Sequence, residues 1–148
     1  MSSVIKLRLT WLAFCLSIIL PCFSIQAVEV IVHPSVNPDY LSSSHIRRIF
    51  TMRNRQWREN LPIRVFVLPS NNQLHKDFCI QELEVFPYQL DKIWGKLLFS
   101  GMGEPPQVMN SIEEMITTVK NTPGAIGYVD TLPKDSGVKV MIVGNAND

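Results

Sequence analysis

The chain is poor in the features from which chemistry is usually read. It has three cysteines among 148 residues, and two of them, Cys15 and Cys22, fall within the first 27. Only Cys79 stands in the remainder, so no internal disulfide framework is available and the fold must rest on its core. Its three histidines, His33, His45 and His75, have none of the close spacings that hold a metal ion. No sequence element pairs a nucleophile with a base, which argues against an enzyme. No charge of one sign dominates: fourteen Lys and Arg face thirteen Asp and Glu, a balance that argues against a general nucleic-acid binder. No internal repeat or low-complexity segment is visible, and no cofactor is implied.

The apolar run from Leu9 to Leu20 is too short for a spanning helix. Lys6 and Arg8 precede it, Pro21 closes it, and Ser24-Ile25-Gln26-Ala27 follows as a polar, small-residue exit. This is the layout of a secretory signal peptide over residues 1–27, which predicts a periplasmic chain without a membrane span once the leader is cleaved. Cleavage there leaves 121 residues (148 less 27) as one domain, 28–148, long enough for a single core. Two basic and no acidic residues leave with it, so the remaining formal charge is −1.

Four strand-like runs are expected, at Val28–His33, Ile63–Leu68, Ala125–Val129 and Val138–Val143. Helical spacing is expected after Ser42–Ser44, from Gln73 to Glu84, after Pro87, and from Ile112 to Val119. Ser111 with Glu114 is a capping box, and Thr122-Pro123-Gly124 stops the helix that it starts. Gly124 and Gly127 suit a turn and a close backbone approach. Strands alternating with helices predict a single three-layer-like α/β domain with a mostly parallel or mixed sheet. Ligands of such sheets sit beyond strand carboxyl ends, here the loops after His33, Leu68 and Val129.

Two features carry binding expectations. Ser70-Asn71-Asn72 precedes a helix, whose first amides suit an anion; helix capping explains the same residues. Arg47, Arg48, Arg53, Arg55 and Arg58 cluster with no acid between Asp39 and Glu59. Guanidinium forks suit carboxylates and phosphates, whereas a solvated helix end accounts for the same charges. Ser70, Asn71, Asn72, Arg53 and Arg55 are therefore the candidate ligand residues, and Arg47 and Arg48 the candidate partner-docking residues. Cys79 lies on an apolar helix face, as a small buried hydrophobe does, and the histidines are expected on loops or helix surfaces.

Several segments line up with one family. They are I-F-T-M-R-N-R-Q-W (Ile49–Trp57), the strand Ile63–Leu68, F-C-I (Phe78–Ile80), W-G-K-L-L-F-S-G-M-G-E-P-P (Trp94–Pro106) and T-P-G-A-I-G-Y-V (Thr122–Val129). In that order they resemble the phosphate-binding proteins of bacterial ABC transporters, and more closely their short single-lobe relatives. The resemblance implies one lobe of a type II periplasmic binding protein. It also implies solute binding, with phosphate or another small oxyanion as ligand; the alternative is a non-transport sensory or structural interaction protein of the cell envelope, using the same lobe to bind an envelope protein or a second copy. The family's R-S-D-G-S-G-T loop after the second strand is here Leu68-Pro69-Ser70-Asn71-Asn72-Gln73-Leu74, so most of its phosphate contacts are replaced. Met52 stands where the family has glycine.

Overall fold

The computed structural model describes residues 27–37 and 41–144; residues 1–26 of the expected leader lie outside them. The elements run β1 (Glu29–Val32), β2 (Leu41–Ser42), α1 (Ser43–Phe50), a 3-10 turn (Arg58–Asn60), β3 (Arg64–Val67), α2 (Gln73–Gln81), α3 (Pro87–Phe99), β4 (Gln107–Val108), α4 (Ile112–Asn121), β5 (Ala125–Val129), β6 (Lys139–Met141) and β7 (Val143–Gly144). The main sheet has the order β4-β3-β5-β1-β6, and β2 pairs with β7 apart from it.

The sheet is mixed. β3 is parallel to both β4 and β5, whereas β1 is antiparallel to both β5 and β6. That corrects one expectation. The loop after His33 leaves the sheet at the start of β5, where His33 N–H donates to Ala125 O and Gly124 N–H to Ser35 Oγ. It does not join the loops after β3 and β5. The last expected strand is also two. Val138–Val143 divides at Ile142, because β6 lies on β1 while β7 crosses to Leu41–Ser42.

Helix starts follow side-chain chemistry. Ser42, Asn72 and Ser111 each accept from amides of the first turn they cap. Glu114 completes the start of α4 by accepting from Asn110 N–H at 2.7 Å. The helix α2 is shorter than expected, ending at Gln81, and Glu84 turns the chain at φ 51°.

The core centres on β5, whose five residues are all buried. Tyr128 stacks on Phe78 with centroids 4.0 Å apart, and Phe50 meets Phe78 edge-on at 4.7 Å. The motifs that stood apart in sequence meet here. Trp57 Nε1 donates to Gly124 O and Trp94 Nε1 to Phe50 O, each at 2.9 Å. Gly127 lets α4 lie close, since a Cβ there would come within 2.5 Å of Met115 Sδ. Met52, by contrast, takes φ 60° without being glycine, a conformation that costs an L residue roughly 1–2 kcal/mol.

Gly124 has φ +76°, and a Cβ on it would fall 2.1 Å from Pro62 O. Gly124→Ala is expected to destabilise the domain by about 2 kcal/mol or more. Urea unfolding measures it; an unchanged midpoint would mean that the Pro62 backbone gives way freely.

Candidate functional site

The parallel strands β3 and β5 point their carboxyl ends at the loop Pro69–Gln73. Leu68 is buried and sets its start: Leu68 N–H donates to the Tyr128 hydroxyl at 2.8 Å. Asn72 N–H then closes a turn onto Pro69 O at 2.9 Å. The Asn72 carboxamide accepts from Leu74 N–H at 2.8 Å and from His75 N–H at 3.4 Å. An anion at this helix start would compete with that oxygen for the same amides. Ser70, exposed, donates its hydroxyl to Asp91 on α3 at 2.7 Å, and Asn71 is exposed beside it. The loop therefore offers an open polar surface whose strongest donors already have partners, with a carboxylate next to it.

Beneath the loop lies a buried polar chain. Tyr128 Oη is 2.6 Å from His75 Nδ1, and His75 Nε2 is 3.4 Å from Cys79 Sγ. The hydroxyl oxygen accepts from Leu68 N–H, and the imidazole bridges the hydroxyl on one side and the thiol on the other. His75 is fully buried, which corrects its expected place on a surface. Burial holds the imidazole below its ordinary range, against the opposing pull of Asp91. Burial, and then Asp91, push the Cys79 thiol up to about 12. Burial likewise raises the Tyr128 phenol. Sequence spacing held a signal for this chain: His75, Phe78 and Cys79 fall at i, i+3 and i+4 on one face of α2.

The arginines lie elsewhere. Arg55 O accepts from Ile63 N–H at 2.9 Å, just before β3, while Ser70 follows that strand's far end. Arg53 and Arg55 are thus not brought together with Ser70, Asn71 and Asn72. Arg47 braces the fold. Its Nε donates to Leu83 O at 2.5 Å, and its guanidinium pairs with Glu84. Arg48 and Arg53 are exposed and adjacent, Arg53 N–H donating to Arg48 O at 2.9 Å. His45 accepts from the Asn54 amide; burial first, then the Arg48 and Arg58 charges, lower its pKa. Near the start of β3 a groove of about 340 Å³ is lined by Met52, Arg55, Arg64, Glu104, Pro105 and others. Among the described residues no cluster of His, Cys, Asp and Glu could hold a metal ion, and no helix is long and apolar enough to cross a membrane.

No family model matches the chain, and no curated protein matches it either. Solved structures do. An ABC-type phosphate transport receptor from Vibrio cholerae superposes with a TM-score of 0.58 at 16% identity, over 77% of this chain and 44% of that one. A phosphate ABC transporter substrate-binding protein with bound phosphate, from Clostridium perfringens, gives 0.60 at 20% identity, over 78% and 44%. PstS from Borrelia burgdorferi gives 0.56 at 15% identity, over 79% and 47%. At these identities the likeness is one of fold. The chain spans less than half the length of each, and its fold resembles one lobe of a phosphate-binding protein.

The buried imidazole makes stability depend on pH. Its folded pKa is lowered, so the neutral form is favoured and its contribution is complete above the unfolded value of about 6.5. That contribution is lost as pH falls from there through the folded value. Melting temperatures are expected to drop as pH falls below about 6.5, with His45, also lowered, adding in the same sense. His75→Gln is expected to reduce that slope; an equal slope in the variant would assign it to other groups.

Proposed function

We propose that the chain is an exported solute-binding-protein-like module that takes a small oxyanion such as phosphate weakly, at the open loop Ser70-Asn71-Asn72. The observation that carries this reading is the strand–loop–helix passage from buried β3 into α2. It sits at parallel strand ends, in a fold like one lobe of phosphate-binding proteins. The module works by binding rather than catalysis, and the leader-like N-terminus supports a periplasmic location. Weakness follows from geometry. Asn72 occupies the helix amides and Ser70 is held by Asp91. An open face also leaves any bound charge screened by water. Calorimetry with phosphate is expected to give a Kd on the order of 1 mM, weakened further by Ser70→Ala. A micromolar Kd would overturn the open-face argument, and no heat at all would remove the oxyanion.

A second reading is docking of an envelope protein or a second copy. Arg48 and Arg53 favour it: both are exposed, adjacent, and without an ion-pair partner among the described residues. Arg47, the other docking candidate, is committed to Leu83 and Glu84. Arg48→Glu with Arg53→Glu is expected to abolish recovery of an envelope partner in a pull-down while the melting temperature stays within a degree or so. Undiminished recovery by the double variant would sink this reading.

A further inference from the structure

We propose that the groove at the start of β3 is a binding site for a small zwitterion: a free α-amino acid with an apolar side chain of medium size. The groove lies at the opposite end of β3 from the Pro69–Gln73 loop and belongs to no part of the function proposed above. Its volume of about 340 Å³ accommodates a single amino acid.

Three observations carry the assignment. The first is a preorganised cation. Arg55 donates from Nε to Met52 O and from Nη2 to Met102 O, each at 3.1 Å, which fixes the guanidinium plane. Gly103 leaves it room, since a Cβ there would stand 2.6 Å from Nη2. A guanidinium has five N–H donors, and these two bonds leave the rest for a ligand. A carboxylate is the group that such a fork takes in pairs.

The second is charge of both signs held apart. Arg55, Arg64 and Glu104 line one groove, yet none of them is in an ion pair among the described residues. A ligand carrying a carboxylate and an ammonium group satisfies both sides, the first at the arginines and the second at Glu104. A bare anion would meet Glu104 as a repulsion.

The third is the apolar wall. Met52, Ile63, Phe66, Pro105 and Pro106 supply apolar lining beside the charges, with Gln107 at the edge of β4, a surface that suits an apolar side chain of medium size.

The purified full chain would be titrated with L-leucine, with 4-methylpentanoate, which lacks the amine, and with 3-methylbutylamine, which lacks the carboxylate. Leucine is expected to saturate at submillimolar concentration, with each analogue about tenfold weaker or more, the effect of losing one charged hydrogen-bonded contact. Glu104→Gln should erase leucine's advantage over the carboxylate, and Arg55→Gln its advantage over the amine. Both residues are exposed, so melting curves should match the wild type; were Arg55→Gln to unfold, Glu104→Gln decides alone. Absence of saturable leucine binding at millimolar concentration overturns the proposal. So does leucine affinity indifferent to Glu104→Gln, or displacement of leucine by phosphate at equal concentration. None of these outcomes bears on phosphate at Ser70, which Ser70→Ala reads separately.

Discussion

A strand sealed on both faces can carry a polar side chain only if every polar atom of it finds a partner. β5 is such a strand, and Tyr128 is its polar residue. The hydroxyl accepts from the Leu68 amide at the neighbouring strand's end and shares a hydrogen bond with His75 on α2. One oxygen thereby fixes three things: where β3 stops, how α2 lies on the sheet, and where the loop between them begins. An unmet hydroxyl or amide here would cost about 1–3 kcal/mol, a large share of a small domain's stability. The ring below the hydroxyl stacks on Phe78, so the polar and apolar halves of Tyr128 hold the same two elements together.

The loop built on this anchor is self-sufficient. Asn72 supplies to α2 the oxygen that an anion would otherwise bring, and Ser70 leans on Asp91. Self-capping stabilises the helix and lowers what a ligand gains by arriving. The opposite end of β3 has the reverse character. Arg55 there is aimed by two backbone carbonyls, and it, Arg64 and Glu104 are without counter-ions among the described residues. A fold shared with phosphate-binding proteins thus places its closed-off donors at one end of a strand and its open charges at the other.

Much of this was legible in the residues. The four main strands and four helices follow from apolar spacing, and the caps at Ser111 and Asn72 from local hydrogen-bond chemistry. Gly124 and Gly127 act as expected, one in a turn and one under Met115. Cys79 is the buried hydrophobe that its helix face suggested. What hydropathy does not encode is direction. Val28–His33 reads the same whether β1 runs with or against β5, and its antiparallel sense moved one expected ligand loop to the wrong end of the sheet. Nor does spacing say which end of a strand a distant arginine will reach, and Arg55 lies at the start of β3, away from the loop that follows it. The face of α2 places His75 beside Cys79, but its partner is a hydroxyl 53 positions away, which spacing along one helix does not name. The short pairings of β2, β4 and β7 are two residues each, below what any periodicity can mark.

The same sealed interior gives Cys79 an unusual property. A thiol pushed up to about 12 by its burial stays protonated at neutral pH, and only the thiolate reacts readily with oxidants or disulfides. Among the described residues the one free sulfhydryl is thus shielded from mixed-disulfide formation while the core stays closed. A reagent that reaches the sulfur therefore reports core opening: the open population where reclosing outpaces the reagent, and the opening rate where the reagent is faster.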